Sequence, residues 1–186
     1  MATGNMQRMS RMKKELDMIT KNPQPGISFS VRENCVDTFD ASILGLEGTP
    51  YESGIFKLEI QLPEKYPFEP PRVQFLTPVY HPNVDESGRI CLDLLRMPPA
   101  GSWRPTVLLG GLLHSLRLLL AQPNPNDPLV VDIAEEFKFN NTEYMRKAKE
   151  WTKKYAMKDD RESHDSPAKR KSEDDSMERN KRLKSL

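Results

Sequence analysis

Residues 81–93 read HPNVDESGRICLD and lie where strand-like segments of the chain give way to helix-like segments. The surrounding stretch 77–103 has little periodicity and is rich in proline, glycine and aspartate. A loop of this length inside a compact domain is usually functional or disordered, and the motif within it favours function. The segments on its two sides decide the fold class.

Strand-like segments before the loop lie at 27–31, 38–46, 55–62 and 72–76. Glycine, proline, asparagine and aspartate separate them, and short connections between consecutive strands favour an antiparallel meander. An amphipathic helix at 7–22 precedes them. Its apolar positions recur at helical spacing: Met9, Met12, Leu16 and Ile19.

Helix-like segments follow the loop. The stretch 106–121 is mostly leucine, is too short to span a bilayer and is typical of a buried core helix. The proline-rich stretch 123–128 ends it, and 129–139 and 142–157 are predicted as two further helices. The sequence therefore predicts an α+β domain with an N-terminal helix, a four-stranded antiparallel meander and C-terminal helices.

Composition limits the function classes. The 186 residues fit one domain plus an appendage, and the net charge of +1 gives no global field toward nucleic acid or membrane. The first residues lack the apolar core of a secretory signal. We expect neither a membrane anchor nor direct nucleic-acid binding.

The two cysteines, Cys35 and Cys91, form no CxxC pair, and the chain has three histidines. This inventory argues against a structural zinc site, and we predict no bound metal. A Cys35–Cys91 disulfide is compatible with the sequence, but two free thiols in a reducing compartment are favoured.

Residues 158–186 mix both charges densely and contain almost no large apolar residues, so we expect them to be disordered. Lys169-Arg170 is followed after ten residues by 181–184, KRLK. This spacing is typical of a bipartite nuclear import signal and predicts a nuclear location, with a cytoplasmic pool left open. A solvated mixed-charge tail explains the pattern equally well.

Asn83 and Cys91 within the central motif suggest acyl transfer. An asparagine amide can donate hydrogen bonds to an oxyanion, and cysteine can carry an acyl group as a thioester. A buried, inert cysteine is the alternative, and it is favoured when the cysteine is considered alone.

Five motifs that follow one another along the chain make a reactive cysteine the favoured interpretation. They are YPFEPP at 66–71, HPN at 81–83, GRICLD at 88–93, WRP at 103–105 and PNPNDPL at 123–129. Together they resemble the ubiquitin-conjugating enzymes over about residues 6–155. The resemblance implies that family's α+β fold, with 6–157 as the catalytic domain, 158–186 as its tail and 1–5 as an extension or an artificial addition.

The chain is most similar to the T-type group of this family. It shares the opening Met6-Gln7-Arg8, an insertion at 95–103 after the cysteine and a basic tail. The resemblance implies work with a RING ligase, by extension the Fanconi anaemia ligase, and monoubiquitination in DNA cross-link repair.

The resemblance also implies roles for three residues. Cys91 matches the cysteine that accepts ubiquitin from the activating enzyme, which consumes the ATP, so no cofactor is expected here. Asn83 matches a residue that stabilises the oxyanion formed when a substrate lysine attacks, or that holds its own loop. Asp127 matches a gate residue that orients the lysine, or is an acid favouring the helix that follows it.

Three further residues are predicted to support the cleft: His81, Asp93 and Tyr80. His81 is a general base or a loop-fixing imidazole, and Tyr80 and Pro82 beside it favour the second role. Asp93 either shapes the cleft or caps a turn. Asn126 stands where several relatives have a second acid, which weakens negative charge at the cleft.

Partner surfaces follow from the same resemblance. The residues matching ligase or activating-enzyme contacts are Arg11, Lys14, Phe68, Trp103, Arg104 and Pro105. Core packing is a strong alternative for Trp103. Ser28 matches a sheet position where some relatives bind a second ubiquitin.

Three other functions compete with this one. Cys91, His81 and Asn83 are the residue types of a papain-like hydrolase, but they lie in one short segment. A ubiquitin-binding module of the same fold would lack the cysteine. A conjugating enzyme for another ubiquitin-like modifier would match the same motifs.

Overall fold

A computed structural model describes residues 2–32 and 37–157 of the chain. Its helices are α1 (Ala2–Lys21), α2 (Leu109–Ala121), α3 (Val131–Phe139) and α4 (Asn141–Tyr155), and its strands are β1 (Ile27–Val31), β2 (Thr38–Leu44), β3 (Ile55–Gln61) and β4 (Arg72–Phe75). A 3₁₀ turn occupies Asp93–Leu95. This element order confirms the predicted α+β fold.

The four strands form one antiparallel sheet in the order β1-β2-β3-β4, as the short connections predict. Alternation sets its two faces. Phe39, Ala41 and Ile43 of β2 are buried, whereas Asp40 and Ser42 between them lie toward solvent. Ile43 pairs with Phe56 on β3, so the apolar face is continuous across strands. This face forms one wall of the core.

Helix α2 supplies the opposite wall. Leu112, Leu113 and Leu116 are fully buried in the cluster that contains the sheet's apolar face. Full burial of each leucine contributes about 1.5–3 kcal/mol. The leucine-rich segment is therefore the predicted core helix, although it begins at Leu109 rather than at residue 106.

Helix α1 differs from its predicted pattern at two neighbouring positions. Met9 was expected on the apolar face but is 47% exposed, whereas Arg8 is buried at 8% exposure. The Arg8 guanidinium donates to the Leu62 carbonyl and pairs with Asp37, which offsets part of the cost of its burial. Within the described residues, no helix is long and apolar enough to cross a bilayer.

Candidate active site

The loop that carries the central motif is folded against β4. Gly88 has a φ of 80°, and a Cβ there would lie 1.9 Å from the Phe75 carbonyl oxygen, so only glycine fits. The Gly88 carbonyl accepts from the Phe75 N–H at 2.9 Å, and the Cys91 N–H donates to the Asn83 carbonyl at 2.9 Å. These bonds bring Cys91 and Asn83 side by side.

Cys91 is half-buried, and its Sγ donates to Asp127 Oδ2 at 3.2 Å. Burial and the negative charge of Asp127 raise the pKa of the thiol to about 11. The resting site therefore holds a protonated thiol.

Arg96 is a site residue that sequence reasoning missed. Its Nη2 donates to Asp127 Oδ2 at 2.6 Å and to Asp93 Oδ1 at 2.7 Å. Hydrogen bonds from Arg96 and then Cys91 lower the pKa of Asp127. Arg96 is the one basic residue between Cys91 and Trp103, which is the signal that could have found it.

Asp127 does not lie in the first turn of a helix, because α3 begins four residues later at Val131. Its side chain is 52% exposed at the open side of the cleft. The alternative of a helix-stabilising acid therefore loses its support. Asp93 begins the 3₁₀ turn, and its carboxylate binds Arg96 beside the cleft.

Asn83 is completely buried, and its amide is fully used. Nδ2 donates to the carbonyls of Asn124 at 2.8 Å and Asp127 at 2.9 Å. Oδ1 accepts from the Asn124 N–H at 2.8 Å. These are loop-fixing contacts, and they hold the segment that presents Asp127. The oxyanion role of Asn83 stays a prediction.

His81 is also completely buried. Nε2 bonds the Leu119 carbonyl at 2.9 Å, and Nδ1 accepts from the Asn83 N–H at 3.0 Å, which sets the Nε2–H tautomer. Burial lowers its pKa to about 4. Both ring nitrogens are occupied, so the contacts are those of a loop-fixing imidazole and leave no nitrogen to act as a base.

Tyr80 bonds to the helical layer. Its hydroxyl donates to Glu136 on α3 at 2.5 Å, and its carbonyl accepts from the Tyr51 hydroxyl at 2.7 Å. Burial and the Glu136 carboxylate raise the pKa of Tyr80 to about 12. Tyr80 therefore supports the cleft by anchoring its loop to the helical layer.

The predicted partner surface is largely accessible. Phe68 is 60% exposed, Lys14, Arg104 and Pro105 are exposed, and Arg11 is half-buried. Trp103 is 2% exposed and its Nε1 donates to the Pro67 carbonyl at 2.9 Å, so of its two predicted roles the geometry fits core packing and not a direct surface contact. Trp103 supports the surface from beneath.

Ser28 lies exposed on the outer face of the sheet, where its hydroxyl is 2.7 Å from that of Ser42. Cys35 lies outside the described residues, as does the tail with its predicted import signal.

Comparison with known proteins gives consistent matches. The family model for ubiquitin-conjugating enzymes matches residues 11–152. "Ubiquitin-conjugating enzyme E2 T" of Mus musculus is 54% identical over 151 residues, covering 81% of this chain and 74% of the relative. Its Danio rerio counterpart is 53% identical over 152 residues, covering 82% and 78%. "Ubiquitin-conjugating enzyme E2 N" of Drosophila melanogaster is 44% identical over 149 residues, covering 80% and 96%.

Proposed function

Because this chain belongs to the ubiquitin-conjugating enzyme family, whose members are transferases with a cysteine thioester intermediate, we propose that Cys91 carries ubiquitin and that a RING ligase directs its transfer to a substrate lysine. Ubiquitin, an activating enzyme and a ligase are partners that the family implies. The observation that carries the assignment is the Cys91 thiol bonded to Asp127 in the cleft.

The first step is transthiolation. Cys91 Sγ attacks the thioester carbonyl that joins ubiquitin to the activating enzyme, the S–C bond to ubiquitin forms, and the activating enzyme's thiolate leaves. The Cys91 proton must be lost to the leaving thiolate or to solvent. Asp127 already accepts the S–H hydrogen bond, so it steadies the sulfur for attack. No cofactor is needed, because ATP is consumed upstream.

The second step is aminolysis. A neutral lysine amine attacks the thioester carbonyl, and a tetrahedral oxyanion forms. Its nitrogen loses one proton to solvent, the new amide bond is kept, and Cys91 leaves as a thiolate that solvent then protonates. Arg96 holds the pKa of Asp127 below its usual range. Asp127 is therefore a weak base, and its proposed role is to accept a hydrogen bond from the incoming amine and orient it.

Asn83 contributes to this step mainly through position. Its amide fixes Asn124 and Asp127, so it sets where the gate carboxylate lies. Direct stabilisation of the oxyanion requires that one N–H of Nδ2 leaves a backbone carbonyl. Such a donor would contribute about 3 kcal/mol to the transition state.

The pathway is proposed by resemblance to the T-type group. The similarity to E2 T proteins of several vertebrates supports monoubiquitination in DNA cross-link repair with the Fanconi anaemia ligase. The spacing of basic clusters in 158–186 supports a nuclear location. A reporter that lacks this tail and still collects fully in the nucleus would overturn the role of the tail as an import signal.

Charging assays test the function directly. The pure protein, activating enzyme and ATP are incubated with ubiquitin and, separately, with other ubiquitin-like modifiers. We expect a thiol-labile adduct with ubiquitin, an oxyester or no adduct for Cys91→Ser, and no adduct for Cys91→Ala. A thiol-labile adduct on Cys91→Ala would refute the assignment, and preferential charging with another modifier would favour the competing conjugation function.

The hydrolase alternative has weak support from the geometry. A cysteine hydrolase needs an imidazole that takes the thiol proton. The nitrogens of His81 bond the Leu119 carbonyl and the Asn83 N–H instead. An isopeptidase assay on the pure protein should therefore give no cleavage.

A further inference from the structure

Glu15 on α1 is a carboxylate with 1% exposure. A buried carboxylate is costly unless hydrogen bonds compensate it. Oε1 accepts from Arg11 Nε and, at 2.6 Å, from the Tyr66 hydroxyl, while Oε2 accepts from the Leu109 N–H at 2.6 Å. One side chain thus joins α1 to the proline-rich loop 63–71 and to the first residue of α2.

The bonds of Glu15 lead to both loops of the proposed ligase surface. The Tyr66 ring packs against Trp103, with ring centroids 6.1 Å apart. Trp103 in turn donates to the carbonyl of Pro67, the residue before Phe68. Phe68 and Arg104 are exposed, and they follow Pro67 and Trp103 directly in the chain. Glu15, Tyr66 and Trp103 thus form a connected layer of buried side chains that supports the exposed Phe68.

Arg11 on α1 connects to the same layer. Its Nη2 donates to the Val107 carbonyl at 3.1 Å, and its Nε bonds Glu15. The accessible part of Arg11 therefore has a fixed position relative to the loop that carries Arg104. Removal of the carboxylate would leave donors from three segments without their common acceptor.

We propose that Glu15 is a positioning residue for ligase binding, which holds α1 and the two loops in the single arrangement that the ligase recognises. The inference rests on the ligase surface of the proposed function. An exposed aromatic anchor binds tightly only when it is already in its bound position, because ordering it on binding reduces affinity. Glu15 provides that order through Tyr66.

The test is a titration of discharge rate against the concentration of a RING domain that stimulates the wild-type enzyme. For Glu15→Gln and Tyr66→Phe, we expect the half-maximal concentration to rise about fivefold, the effect of one hydrogen bond. The rate at saturating ligase should stay close to wild type. A role in catalysis itself would lower the saturated rate instead.

Tyr144→Phe is the matched control. Tyr144 is a buried tyrosine on α4 whose hydroxyl bonds that of Tyr51, in the connection between β2 and β3, at 2.6 Å. Its loss removes a comparable hydrogen bond elsewhere, so it should lower the melting temperature without moving the ligase titration. An equal shift for Tyr144→Phe and Tyr66→Phe would show a generic loss of stability and overturn the proposal.

A double-mutant cycle with Phe68→Ala gives the sharpest result. If Tyr66 acts by placing Phe68, Tyr66→Phe should add less than twofold once Phe68 is absent. Fully additive effects would overturn the proposal. If Phe68→Ala leaves the titration unchanged, the ligase surface itself is wrong. If Phe68→Ala weakens binding and neither Glu15→Gln nor Tyr66→Phe does, the surface stands and the role of Glu15 fails.

Discussion

The two sides of the catalytic cleft hold their polar side chains in opposite ways. On the buried side, every side-chain nitrogen and oxygen of His81 and Asn83 bonds the backbone. On the open side, Asp127, Arg96 and Asp93 share exposed ion pairs. Buried bonds are costly to break, whereas exposed ion pairs exchange easily. The buried side is therefore a framework, and the open side is where a substrate amine can replace a resident charge.

The largest effect is expected from loss of the Asn83 amide. Asn83→Ala removes three hydrogen bonds and leaves buried backbone groups without partners. The free energy of unfolding should therefore fall by about 3 kcal/mol. Lysine discharge from the charged enzyme should slow about a hundredfold, because the carboxylate of Asp127 is no longer held in position. Chemical denaturation and single-turnover discharge measure the two effects. Slow discharge with unchanged stability would contradict the framework role and favour direct stabilisation of the oxyanion.

The next effect concerns pH and His81. Its pKa is about 4 in the folded protein and about 6.5 when unfolded, so the unfolded chain binds more protons between these values. The stability contributed by neutral His81 is present above pH 6.5 and is lost as the pH falls toward 4, by up to about 3 kcal/mol. Denaturation at pH 7 and pH 4.5 measures this slope.

His81→Gln and His114→Gln separate this contribution from that of other groups. The first variant should lose most of the slope between pH 7 and pH 4.5. The second should keep it, because His114 is exposed on α2 and His81 remains. An unchanged slope in His81→Gln would mean that carboxylates, and not the buried imidazole, govern acid sensitivity.

A smaller effect is expected from Arg96 on the open side. Arg96 competes with an incoming amine for Asp127, so Arg96→Gln should speed discharge to free lysine about threefold to fivefold. The acid limb of the rate profile should move to higher pH, because the pKa of Asp127 rises when its main hydrogen-bond donor is lost. Arg96→Lys keeps a cation and is the matched control. Slower discharge in Arg96→Gln would show that Arg96 assists the reaction.

The same contrast explains what the sequence could and could not predict. Periodicity and turn residues predicted all four strands and the order of the helices, because these patterns are local. The pairing of Cys91 with Asp127 spans 36 positions, and only the family resemblance suggested it. Arg96 and Glu15 were missed because their roles depend on partners brought together by the fold. The Glu15 bond to the Leu109 N–H, for instance, spans 94 positions.

The smallest effect is expected from Asp93. It tests whether the ion pairs on the open side of the cleft exchange partners as easily as their exposure implies. The Asp93 side chain is 68% exposed, and Arg96 keeps Asp127 as a partner when Asp93 is removed. Asp93→Asn should therefore change lysine discharge by less than twofold and leave the melting temperature unchanged. A tenfold loss of the discharge rate at an unchanged melting temperature would contradict this expectation. It would place Asp93 in contact with the substrate amine, because an Asp93 that only orients Arg96 cannot change the rate by more than Arg96→Gln does.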